Sequence, residues 1–175
     1  MNKLFLQLKR LLSVKKSCQE IPSENTNNTL SILSQADHIF FANFCQFVWI
    51  QGEPLPLIYD VADEVYKRQG ITLSTLKHLE TICLLTFEPN GFVKKGFGKH
   101  TRLFYAGKPT KIEFASDIDN QLDLGHVLLT DTGKRMALAC NAKRNQAFYE
   151  YVITRWFQQG YVLSSIQLNL ESKKH

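Results

Sequence analysis

The feature that most constrains this chain is a change of period part-way along it. From Ser34 to Leu85 the apolar residues recur at three- and four-residue steps. From Gly91 to Ala115 aromatic and β-branched residues are set between glycine and proline turn signals. Helical steps return after Thr130, where Met136, Ala137, Leu138 and Cys140 form the inward set. A chain that makes both switches cannot be a pure bundle or a pure sandwich, so the expected class is α+β with helices dominant.

Boundaries follow from caps and breakers. Ser34 is a candidate N-cap for a central helix running to about Ile50, broken by Gly52 to Pro56. A second helix is predicted over Leu57–Arg68 and ended by Gly70. A third starts from Thr72 or Ser74 and reaches about Leu85. Strands are predicted at Gly91–Lys95, Arg102–Ala106 and Lys111–Ala115, joined as hairpins through the turn Ala106-Gly107-Lys108-Pro109. Asp117 to Asp123 reads as an acidic loop and His126–Leu129 as a short strand. A helix capped by Thr130, a helix over Gln146–Gln159 and a strand over Tyr161–Leu168 follow. The expected organisation is a basic amphipathic segment at 1–16, a linker at 17–29, a folded domain at 30–168 and a tail at 169–175.

Charge is distributed unevenly. Residues 1–16 hold Lys3, Lys9, Arg10, Lys15 and Lys16 with no acid. The stretch between Glu88 and Glu113 holds Lys94, Lys95, Lys99, Arg102, Lys108 and Lys111, again with no acid. All 16 acidic residues lie in the remainder. An acidic body with two basic regions points to encounter with anionic partners. No apolar run approaches the roughly 18–20 residues a membrane-crossing helix needs. The expected compartment is therefore the cytoplasm, and Cys18, Cys45, Cys83 and Cys140, none in a C-x-x-C pair, read as reduced thiols.

The order of elements resembles the winged-helix fold. The residues that carry the resemblance are Ser74-Thr-Leu-Lys-His-Leu-Glu80 with Leu84-Leu85, and Val127-Leu-Leu-Thr-Asp-Thr-Gly133-Lys-Arg. The second passage is similar to the leucine-threonine-x-x-glycine step of bacterial winged-helix proteins. The span from about 30 to 165 also resembles the C-terminal part of a bacterial family known only as a domain of unknown function, which implies no activity. The winged-helix resemblance implies a long hairpin wing and a third helix in the position of a recognition helix, with Ser74, Thr75, Lys77, His78 and Thr81 outward.

The basic stretch is the strongest functional signal. Cations neutralise phosphates and aromatic faces stack on unpaired bases, and Gly91 to Lys111 interleaves both. The candidate nucleic-acid contacts are Lys94, Lys95, Lys99, Arg102, Lys108 and Lys111 on the wing, with Lys77 and His78 on the third helix. If strand alternation holds, Lys94, Lys99 and Arg102 face outward, and Phe92, Phe97 or Phe104 partly inward. The competing reading is a solvated hairpin whose lysines guard an edge. The mixed charge of the third helix also suits a protein-interaction or scaffold module. Residues 1–16 could meet an anionic membrane surface, lie in a partner's groove or form a frayed tail.

Catalytic and metal-binding patterns are not found. His38, His78, His100, His126 and His175 lack zinc spacing, and Gly96-Phe-Gly98-Lys99 lacks the spacing of a phosphate loop. Asp117, Asp119 and Asp123 are spaced like a calcium loop, but Leu122 and Leu128 stand where its glycine and glutamate belong. The sequence therefore suggests a non-enzymatic nucleic-acid-binding or regulatory protein, with no cofactor, metal or small-molecule substrate inferred.

Overall fold

A computed structural model describes residues 33–165; the basic segment at 1–16, the linker and the tail lie outside the described residues. The elements run α1 (Gln35–Phe44), a short 3₁₀ turn (Cys45–Phe47), β1 (Val48–Gln51), β2 (Glu53–Pro56), α2 (Glu64–Lys67), α3 (Leu73–Thr81) and β3 (Leu85–Phe97). They continue with β4 (His100–Tyr105), β5 (Lys108–Glu113), β6 (Asn120–Leu129), α4 (Asp131–Ala139), α5 (Gln146–Gln158) and β7 (Val162–Ser165). The class is mixed α+β, with two antiparallel sheets. One has five strands in the order β2-β1-β4-β5-β7, and the other pairs β3 with β6.

Several local signals act as expected. Ser34 caps α1 in a reciprocal box with Asp37, and Thr72 rather than Ser74 caps α3. Thr130 caps α4, accepting from the Gly133 amide at 3.1 Å. The same hydroxyl donates to the Cys83 carbonyl at 2.7 Å, so one side chain both starts α4 and pins it to the end of α3. Gly133 completes the joint, because a Cβ there would stand 1.9 Å from the Leu84 carbonyl oxygen.

Other expectations are corrected. The first helix stops at Phe44, and Val48–Gln51 is a strand that turns at Gly52 and pairs with β2. Phe47 and Trp49 are fully buried, flanking half-exposed Val48, which is strand alternation that mimics a helical run. Leu57 and Ile58 are extended, not helical, and helix resumes only at Glu64. The Tyr66 hydroxyl donates to the Leu57 carbonyl at 2.8 Å, and Ile58 bridges Gly125. Leu138, expected inward, is 65% exposed. Cys83 is disulfide-bonded, whereas Cys45 and Cys140 are free thiols. Cys83 follows α3 in left-handed backbone and is half-exposed, and its disulfide corrects the expectation of four reduced thiols. Cys18 lies outside the described residues.

The largest departure is in strand pairing. The sequence suggests neighbouring hairpins, yet β3 pairs with β6, and the β4–β5 hairpin between them joins the other sheet. Burial explains the detour. Leu103 and Tyr105 of β4 face Trp49, which stacks on Tyr105 at 5.0 Å and meets Trp156 of α5 edge-on at 4.9 Å. Phe148, Val152 and Trp156 of α5 are fully buried against this inner face. Phe97, Phe114 and Tyr161 join the two sheets through ring contacts of 5.7 and 5.1 Å.

Candidate nucleic-acid interface

The pairing pattern distributes the six wing cations over two sheets. Lys94 and Lys95 lie on β3, Lys99 between β3 and β4, Arg102 on β4, and Lys108 and Lys111 on β5. Two of them are engaged with the protein itself. Lys94 Nζ donates to Gln51 Oε1 at 2.6 Å and stands 3.7 Å from Glu53, whose other oxygen takes Lys134 at 2.5 Å. The Lys134 hydrogen bond, helped by the Lys94 charge, holds the Glu53 carboxyl below its ordinary range against the opposing effect of desolvation. Lys99 donates to the Ala115 carbonyl at 3.0 Å and pairs with Asp117 at 3.5 Å. A single ridge formed by all six cations is therefore not what the fold builds.

What it builds is a sheet face with exposed Arg102 and Phe104, part-exposed Lys111 and buried Pro109. On β4 the side chains of Leu103 and Tyr105 point to the core, so Arg102 and Phe104 point away from it. Across the ladder Arg102 is opposite Lys111, Phe104 opposite Pro109 and His100 opposite Glu113. On the far side Lys111 is opposite Ser164 of β7 and Glu113 opposite Val162; on the near side Phe104 is opposite Ile50 of β1. Phe104 is 38% exposed and Val162 64%, while α5 covers only the other face. Glu113 lies 3.7 Å from His100. Among the described residues Arg102 and Lys111 have no acidic partner.

That juxtaposition has an energetic meaning. Like charges directly opposite on neighbouring strands destabilise a sheet, by roughly the 0.2–1 kcal/mol that an opposite-charge pair would contribute. Two cations flanked by an outward phenylalanine form a surface that an anion with a flat ring would relieve. Of the three phenylalanines offered as partly inward, Phe97 is buried and Phe92 half-buried, whereas Phe104 is the outward one. The signal was present, since Phe104 shares strand parity with Arg102, but the assumed hairpins gave no reference for which parity faces the core.

The helix candidates are placed differently. Lys77 and His78 are exposed on α3, but His78 Nε2 meets Asp37 Oδ1 at 2.5 Å, tying α3 to α1. That bond, with two more from Ser34, pulls the Asp37 carboxyl down to about 2. Lys95 is exposed on β3 in the two-stranded sheet and Lys108 at the start of β5, both away from the Arg102–Lys111 pair in register.

The described residues also form concave features. An apolar cleft of about 690 Å³ is lined by Tyr59, Val61, Leu73, Phe87, Pro89 and His126, whose Nδ1 lies 3.0 Å from the Glu88 carbonyl. A smaller groove of about 300 Å³ lies between the end of α4 and the β4–β5 turn. Among the described residues no group of three His, Cys, Asp or Glu side chains could hold a metal ion, and no helix is long and apolar enough to cross a membrane. Comparison with protein-family models, with curated proteins and with solved structures finds no match.

Proposed function

We propose that this protein is a non-enzymatic nucleic-acid-binding protein that engages single-stranded nucleic acid on the Arg102 face of its five-stranded sheet. Phe104 supplies a stacking surface, and Arg102 and Lys111 take phosphates. The observation that carries the reading is the Arg102–Lys111 pair: two cations opposite one another in register, beside an outward aromatic ring, with no acid among the described residues paired to either. Unpaired bases suit such a surface better than a duplex, whose bases are already stacked on one another. The core that carries the sheet is read as winged-helix-like. In this reading α2 and α3 form the helix-turn-helix, the β3–β6 pair forms the wing with Lys95 exposed on it, and the Leu129-Thr130-x-x-Gly133 step leads into α4.

Photocrosslinking tests the location. An oligonucleotide carrying bromodeoxyuridine should crosslink to peptides spanning β4 and β5, with Phe104 a principal site. Crosslinks confined to α3, or none at all, would remove the sheet from the account.

The apolar cleft favours a second reading, a protein-interaction module, because Leu73 at its edge is 43% exposed beside Phe87 and Pro89. A pull-down from nuclease-treated lysate separates the two. Partners that survive nuclease and are lost in Leu73→Asp support the module; partners that vanish with nuclease support nucleic acid.

A further inference from the structure

Two free cysteines far apart in sequence share one wall of the smaller groove. Cys45 opens the 3₁₀ turn after α1, and Cys140 is the residue that closes α4. Both line the same space of about 300 Å³ with Val48, Leu138 and Lys143, and the two thiols are within electrostatic reach of one another. Their exposures differ: Cys45 is 5% exposed and Cys140 is half-exposed. Neither thiol is used by the sheet face.

We propose that Cys45 and Cys140 are a redox modification site, a dithiol that an anionic low-molecular-weight disulfide of the glutathione class oxidises to an intramolecular disulfide tying α4 to the 3₁₀ turn. Three features set the order of events. Cys140 is the more exposed of the two residues. The Lys143 cation at the groove attracts the carboxylates of the oxidant. Burial, and then the neighbouring Cys140 sulfur, push the Cys45 thiol up from its ordinary range, so Cys45 is not the sulfur that attacks first.

The steps balance. Cys140 Sγ attacks one sulfur of the oxidant; the oxidant's S–S bond breaks, and the first thiol leaves with the proton that Cys140 gave up. Cys45 Sγ then attacks Cys140 Sγ. The mixed disulfide breaks, and the second thiol leaves with the proton of Cys45. Two protein thiols are oxidised and one disulfide is reduced to two thiols. Capture by Cys45 is intramolecular, because both cysteines line the one groove that an adduct on Cys140 would occupy.

Peptide mapping under non-reducing conditions tests this on the full chain treated with glutathione disulfide. The expected product is a linked peptide pair containing Cys45 and Cys140. Both residues should lose alkylation in parallel after denaturation and regain it with dithiothreitol. Cys45→Ser should instead accumulate a glutathione adduct on Cys140. A lasting adduct on Cys140 in the unsubstituted chain with Cys45 still alkylated, linkage of either residue to Cys83, or no reaction at either sulfur would each overturn the proposal. The mapping of the unsubstituted chain decides the matter even if the serine variant does not fold.

Discussion

Gly133 sits where no side chain fits. A Cβ would meet the Leu84 carbonyl oxygen at 1.9 Å, and backbone cannot swing aside as a flexible side chain can. Gly125 is held similarly, with φ +76° and the Ile58 carbonyl oxygen 2.1 Å from the position of a Cβ. Overpacking of this kind costs about 3 kcal/mol. Gly133→Ala and Gly125→Ala should therefore each lower the unfolding free energy measured by chemical denaturation by that amount. Gly98→Ala, where the nearest atom is 3.7 Å away and φ is not positive, should change it by less than about 0.5 kcal/mol. A second residue-scale prediction concerns Asp37. Its folded value of about 2 lies below the ordinary carboxylate value, so the stability it contributes is complete above pH 3.8 and is lost as pH falls through about 2. Carboxyl NMR titration should find that low value in the native chain. In His78→Ala it should rise towards 3.8 while stopping short of it, because Ser34 still donates. An unchanged titration in that variant would show that His78 is not its main partner.

At the scale of elements, Glu53 is a clamp. From the β1–β2 turn it takes Lys134 of α4 and Lys94 of β3, so one carboxylate joins three elements. The side chains involved are a third to two-fifths exposed, and solvent screening limits the whole contribution to less than about 1 kcal/mol at neutral pH. Its carboxyl is held below the ordinary 4.5, so the clamp is complete above that value and loosens as pH falls. Glu53→Gln should thus show a shallower loss of stability between pH 6 and 3 in thermal melts; a slope as steep as that of the original chain would remove Glu53 from the account. The elements also show what the sequence disclosed. Caps were legible because Ser34, Thr72 and Thr130 act within three or four residues of themselves. So was α5, whose Phe148, Val152 and Trp156 repeat at a single helical step. The β1 strand was not: Phe44, Phe47, Val48 and Ile50 fit both periods, and only the pairing with β2 and β4 decides between them.

For the whole molecule, the decisive information was non-local. The basic stretch was visible as composition, but its division between two sheets depends on β3 finding β6 across an intervening hairpin, and no local signal encodes that pairing. The fold removes Lys94 and Lys99 from a common ridge and gathers Arg102, Lys111 and Phe104 on one face instead. The central claim is that this face binds single strands through both charge and stacking. Fluorescence anisotropy of a labelled oligothymidylate, titrated with the full chain at stepped sodium chloride concentrations, tests it most directly. The account predicts that log affinity falls linearly with log salt. Arg102→Ala with Lys111→Ala should flatten that slope by roughly 1.4, at about 0.7 per phosphate released. Phe104→Ala should weaken binding about tenfold with the slope unchanged. Affinity indifferent to salt, or retained in full by both variants, would contradict it.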